Sequence, residues 1–175
     1  MKDFLTNSVF FGAVISLVAY EIGILLKKKF KLAIFNPLLI AVICVMAVLA
    51  SMVGVYILAR AFHLNSQLYV TLLPKSITTA IGMGVSEELG GVVTITVAVI
   101  VITGVLGNVI ADLACKIFRL EEPVAKGLAL GTAAHAIGTA KAMEMGEIEG
   151  AMSSLAIAVA GLLTVVTSSV FASLM

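Results

Sequence analysis

Hydrophobic residues in this chain come in long unbroken runs, not in stripes. Residues 4–26, 38–62, 92–114 and 151–174 each hold enough consecutive apolar positions to cross a bilayer as a helix. None of them alternates with a period of two, so the pattern predicts helices and not barrel strands. Asn36-Pro37 opens the second run well, because the missing N–H of a proline in the first helical turn would have no partner anyway. Two further stretches are apolar in frame but interrupted. In 68–83, Pro74-Lys75-Ser76 breaks the run, with Thr78 and Thr79 just beyond. A helix through 69–73 should stop there and a half-helix begin near Pro74, its free N–H groups pointing inward. In 126–141 bulky side chains nearly vanish. Wound as one helix, that stretch gathers Gly127, Gly131, His135 and Gly138 on one face, with Thr132 and Thr139 at its shoulder. Residues 84–91 read as a solvated turn with Glu87 and Glu88, and Glu144, Glu147 and Glu149 as a second, acidic one.

Composition fixes the solvent. Of 175 residues 61% are hydrophobic and 12% charged, and the mean hydropathy of +1.19 lies far outside the range of water-soluble domains. The expected protein is an all-α, polytopic membrane bundle with broken or re-entrant helices. A net charge of +1 argues against nucleic acid as a partner. Cys44 and Cys115 lie in apolar runs and read as reduced thiols. The run at 4–26 is too long for a signal-peptide core and reads as a retained span; Glu21 within it can reach towards Lys27 or Lys28.

Charge then sets topology. Lys27-Lys28-Lys29-Phe30-Lys31 marks a cytoplasmic loop, and Lys116, Arg119 and Lys126 form a second basic loop. Both lie on one side only if an even number of crossings separates them. The spans at 38–62 and 92–114 supply two, so 68–83 must dip in and return. Asp112, four residues before Lys116, is expected to pair with it.

The candidate chemistry sits in the two interruptions. A half-helix N-terminus carrying Lys75, Ser76, Thr78 and Thr79, facing a glycine-bared surface with Gly131, Thr132, His135, Gly138 and Thr139, suits a small anion at the membrane midplane. The alternative for the glycines is close packing against another helix, and for Lys75 snorkelling from a loop. No catalytic residue, metal site or cofactor is predicted. His63 and His135 lack ligand spacing, and Ser76 or Ser153 beside His135 lacks a nucleophile motif or an orienting carboxylate.

Three strings resemble a known family: Leu73-Pro74-Lys75-Ser76-Ile77-Thr78-Thr79, Ser86-Glu87-Glu88-Leu89-Gly90-Gly91, and Pro123-Val124-Ala125-Lys126 continued by 127–140 with its Gly131-Thr132-Ala133-Ala134-His135-Ala136-Ile137-Gly138 core. They look like the LrgB/CidB family of antiholin-like membrane proteins, to which the plastid glycolate/glycerate translocator is similar. The resemblance is close over 64–175 and looser over 9–40. Lys126 and Ala134 stand where members usually carry Arg and Ser. Members also usually run to about 230 residues, with a further broken-helix segment in the middle, and here the chain passes from Asn36-Pro37-Leu38-Leu39-Ile40 to Ala59-Arg60-Ala61-Phe62-His63-Leu64 within one helix length. The resemblance therefore implies a shortened inverted-repeat, transporter-like fold, one membrane domain over 1–175 with a shortened first repeat at 1–62 and a second at 63–175.

It also implies a location in the cell (inner or plasma) membrane and two functions. One is permeation of a small carboxylate anion of the glycolate, glycerate or pyruvate type. The other is antiholin-like regulation of murein hydrolase export and cell lysis with a small holin-like partner, whose physical content would be helix association through the Gly127/Gly131/Gly138 face. Self-association into a homo-oligomer is compatible with either.

Overall fold

The computed structural model describes the backbone of residues 37–175 and the side chains from residue 39. The expectations for 4–26, Glu21 and Lys27–Lys31 fall outside the described residues. The chain divides into two units, Met1–Val42 and Ile43–Met175, and the architecture below is that of the second.

Six helices occupy the described residues: α1 Pro37–Ala61, α2 Ser66–Leu72, α3 Thr79–Glu88, α4 Val93–Ile117, α5 Pro123–Met145 and α6 Glu147–Ala172. Three are long and apolar enough to cross a membrane: Leu39–Ala61 of α1, and all of α4 and α6. These match the expected spans with small shifts at their ends. The protein is an all-α membrane bundle.

The connections differ from expectation. Helix α3 continues to Glu88, so the turn expected over 84–91 shrinks to its last few residues, closed by Gly90 at φ +76. Helices α5 and α6 are separated by Gly146 alone. Glu147 and Glu149 lie in the first turn of α6, where carboxylates oppose the positive end of the helix dipole.

Helices α2 and α3 form a pair that enters the bundle and returns. The chain leaving α3 comes back to α2, because Val92 N–H donates to Thr71 Oγ1 at 2.8 Å and Thr96 Oγ1 donates to Thr71 O at 2.9 Å. Near the tip, a Cβ on Gly82 would stand 3.5 Å from Pro74 O. The outer end of the pair lies beside the chain terminus, with Ser66 Oγ donating to Met175 O at 2.9 Å and Tyr69 Oη to Phe171 O at 2.8 Å. Residues 68–83 thus dip and return, as the charge parity required.

Helix α5 does the same from the opposite end. His135 adopts φ 43, ψ −135, and the helix is two arms, 123–134 and 136–145. In a straight helix residues eight apart are separated by about 12 Å, yet a Cβ on Gly138 would lie 2.8 Å from Leu130 O. Leu130 and Ala142 share a buried cluster with Ala111. Gly127 meets Glu149 and Met152 while Met143 meets Gly150, so both arms run beside the first half of α6. The single glycine-and-histidine face expected over 126–141 does not form, because the chain reverses in its middle.

A pair of arms followed by a span therefore occurs twice, once as α2–α3 with α4 and once as α5 with α6. The two copies enter from opposite ends of the bundle. The core that holds the first pair is apolar: Met52 and Val55 of α1, Tyr69 and Leu73 of α2, and Ala160 of α6 are all buried together.

Candidate functional site

The first tip is residues 73–78. Its turn follows from Pro74, which lacks a donor, and is closed by Lys75 N–H to Leu72 O at 3.2 Å and Ile77 N–H to Pro74 O at 3.4 Å. Helix α3 starts at Thr79 and not at Pro74, with Thr78 in extended conformation as its cap and no side-chain bond at the cap. Lys75 Nζ donates to Ser76 Oγ at 2.9 Å, and Ser76 Oγ lies 3.1 Å from Ser51 Oγ of α1. Lys75, Ser76, Thr78 and Thr79 are all partly buried. Lys75 is thus turned into a hydroxyl cluster, where its ammonium finds acceptors inside the bundle.

The second tip is His135, 2% exposed. Its Nε2 lies 3.0 Å from the carbonyl of Ile100. A carbonyl only accepts, so Nε2 carries the proton in this arrangement. The ring lies over Gly104, where a Cβ would meet Cε1 at 2.6 Å; the glycine in α4 makes the room. Thr139 Oγ1 donates back to the carbonyl of His135, one turn earlier, at 3.0 Å. Thr139 has one proton, so Ser153 Oγ must donate to Thr139 across their 2.7 Å contact. Asn108 Nδ2 of α4 donates to Ile137 O at 2.9 Å. Among the described residues no buried side-chain polar atom lacks a partner, those at this break included.

Ile100 joins the two tips. Its carbonyl holds His135, and its side chain fills the space left by Gly82. Both contacts, that of α3 through Gly82 and that of His135, fall on α4 about 10 Å along the helix from its start. The predicted residues consequently fall into two groups. Lys75 and Ser76 belong to the first tip and His135 and Thr139 to the second. Gly131 is packed against Ser153 O and Ala156 of α6, and Gly138 against Ala134 and Leu130 of its own pair. Thr132 bonds back to Leu128 O at 2.7 Å, which spends its hydroxyl within the helix.

Two expectations are corrected. The glycines serve close packing inside the chain, so the face Gly127/Gly131/Gly138 is not open to a partner. Asp112 pairs with Lys141 at 3.0 Å and not with Lys116, because the returning arm brings Lys141 alongside α4. Sequence reasoning did not assign Ser51, Asn108 or the buried Thr71–Ser86–Thr96 set, in which Thr96 and Ser86 hydroxyls are 2.7 Å apart. Asn108 carried a signal, a lone amide within an apolar run.

The fold and these tips define a class: a helical membrane protein with two oppositely directed re-entrant helix pairs that both contact one span. Residues 43–174 match the LrgB-like family, and the chain belongs to it. It is 41% identical over 144 residues to a Bacillus mycoides (strain KBAB4) protein named antiholin-like protein LrgB, covering 82% of this chain and 60% of that one. Proteins of the same name from Bacillus cereus (strain B4264) and Bacillus anthracis (strain CDC 684 / NRRL 3495) are each 40% identical over the same shares. The chain thus spans about 60% of the length of the curated relatives it matches. No solved structure matches it.

Proposed function

We propose that this chain is an antiholin-like protein of the cell membrane, regulating murein hydrolase export and lysis together with a small holin-like partner. The observation that supports this reading is the 41% identity to a relative bearing the antiholin-like name. Since the glycines are spent inside the chain, the partner would meet an outer apolar flank. Helix α4 offers one, with Val109 73% and Leu113 59% exposed. The test is co-expression of this chain with a holin-like protein while entry of a membrane-impermeant dye is followed. A shift in the onset or extent of dye entry supports the reading, and identical time courses with and without the chain refute it.

A second reading, permeation of a small monocarboxylate such as glycolate, glycerate or pyruvate, is favoured by the contact that the arms of both pairs make with Ile100, α3 through Gly82 and α5 through His135. Lys75 on one side of Ile100 and His135 on the other supply a cation and an imidazole at membrane depth. Counterflow in proteoliposomes between pH 5.5 and 8 tests it. His135→Gln keeps volume and hydrogen bonding but removes the titrating group. The variant should insert normally, while uptake falls steeply and loses its pH dependence. Unchanged, still pH-dependent uptake would remove His135 from the site.

A further inference from the structure

The second pair leaves a cleft of about 600 Å³ where it enters the bundle. Lys116 ends α4, Arg119 sits in the connector, Lys126 lies on the entering arm, Met145 ends the returning arm and Glu149 begins α6, and all five line the cleft. The connector turns off the end of α4 through backbone bonds from Leu120 N–H to Cys115 O at 2.8 Å and Arg119 N–H to Lys116 O at 3.2 Å, and its residues 119–121 line the cleft. Among the described residues the ion pairs are those of Lys141 with Asp112 and Glu144. The three cations of the cleft therefore make no ion pair there, although Asp112, Glu121 and Glu149 also line it, Asp112 being taken by Lys141. Glu149 lies in the first turn of α6, where the dipole opposes its charge.

We propose that this cleft binds the phosphate of a membrane phospholipid headgroup through Lys116, Arg119 and Lys126. Position argues for a lipid over a soluble phosphate. The cleft lies at the end of a span, and directly beside it α4 exposes Leu113, Ile117 and Phe118, the last two at 65% and 73%. Acyl chains can lie along that apolar flank while the headgroup enters the cleft. A lipid so held would tie the end of α4 to both arms of the second pair, since Lys126 and Met145 belong to different arms. The proposal is independent of either function above.

The experiment uses the full chain in detergent. Native mass spectrometry compares retention of phosphatidylglycerol and phosphatidylcholine by the wild type and by the K116Q/R119Q/K126Q variant. A basic residue near an anionic lipid surface is worth roughly a factor of five, so the variant should lose roughly a hundredfold in phosphatidylglycerol affinity. Glu121→Gln, which removes a like-charged neighbour of the phosphate, should retain the lipid at least as well as wild type. Cys115 lines the cleft and Cys44 is fully buried, so the rate of maleimide modification gives a second readout. Phosphatidylglycerol should slow it in the wild type and not in the variant. If the triple variant elutes as aggregate, Lys126→Gln alone is compared, with a drop of roughly fivefold expected on the same basis. Protection of Cys115 by inorganic phosphate, without preference for phosphatidylglycerol, would keep the phosphate site and overturn the lipid as its source. Equal retention of both lipids by wild type and variant, with no protection by phosphate, would overturn the proposal.

Discussion

The two re-entrant pairs solve one problem with different means. The first reverses over the six residues 73–78, using a proline and a turn between separate helices. The second reverses at one residue, His135, held at φ 43, a conformation that costs a non-glycine residue about 1–3 kcal/mol. The first pair has short arms, and hydroxyls tie them to α4, with Thr71 near the inner end of α2 and Ser86 near the end of α3 meeting Thr96 in the first turn of α4. The second pair has longer arms pressed together at Gly138, and hydroxyls lie at its tip, with Thr139 bonding back to the His135 carbonyl and meeting Ser153 of α6. A wide turn can satisfy its own backbone. A sharp one needs side chains at the point of reversal and neighbours that over-determine it. By this comparison the second tip should be the more sensitive of the two to small changes, and the first the more tolerant.

Topology gives the largest effect, because it is all or none. Single cysteines are placed at Gln67, Glu88, Glu121 and Glu147 in a background lacking Cys44 and Cys115, and labelled with an impermeant maleimide. Gln67 and Glu88 flank the first pair and should label from one face of the membrane; Glu121 and Glu147 flank the second and should label from the other. A pair whose two flanks label from opposite faces crosses the membrane, and the comparison would then be between a hairpin and a span.

Next come the glycines that let the arms approach. At Gly138 a methyl would stand 2.6 Å from Ala134 Cβ and 2.8 Å from Leu130 O. Leu130 O is backbone of the opposing arm, so the arms themselves must part. Gly138→Ala should cost about 2 kcal/mol, after the gain in helix propensity, in thermal unfolding of the detergent-solubilised protein. At Gly82 the methyl meets the end of the Ile100 side chain, which can rotate aside, and the next atoms lie at 3.5 and 3.7 Å. Gly82→Ala should therefore cost under about 1 kcal/mol, the propensity gain offsetting much of the strain. If Gly82→Ala is the worse of the two, the second tip is not the tighter one.

Much of this was legible in the sequence, and the limits have physical causes. The spans were visible because apolar runs of bilayer length have few other uses, and the first dip because Pro74 interrupts one of them and charge parity demanded a return. The reversal at His135 was not visible. No proline or positive-φ glycine marks it, and the stretch 126–141 reads as a helix on both sides, so periodicity carried the helix straight through. Only contacts reveal the turn, such as Gly138 against Leu130. That one miss explains two others. With the arms folded, Gly127 and Gly131 face α6 and not a partner, and Lys141 is carried to Asp112, displacing Lys116 as its neighbour. The candidate residues Lys75, Ser76, His135 and Thr139 were chosen for polarity at membrane depth, and polarity did locate both tips. What could not be read is how the tips relate, because Ile100, the residue between them, acts through a carbonyl and an aliphatic side chain that look like any other in an apolar run.

The smallest effect is expected at Asp112, and it separates packing from charge as the cause of the second pair's closure. Lys141 on the returning arm lies 3.0 Å from Asp112 on α4 and 3.4 Å from Glu144 on its own arm. The pair is the one ion pair among the described residues that ties an arm to a span, and nothing like it holds the first pair. Its carboxylate is open to its surroundings, with 61% of the Asp112 side chain exposed. Exposed pairs contribute a median of about 0–1 kcal/mol, because solvent screens them and two long side chains must be ordered. Glu144 also remains to receive the ammonium when Asp112 is lost. Asp112→Asn should therefore lower stability by less than about 1 kcal/mol, with the difference shrinking further as ionic strength rises. The same thermal unfolding measured for Gly138→Ala, repeated at low and high salt, reads it directly. If Asp112→Asn destabilises as much as Gly138→Ala, and salt abolishes the difference from wild type, the second pair is held shut by charge. The contrast between its tight tip and the hydroxyl-closed first pair would then rest on Lys141 and not on the glycine that brings its arms together.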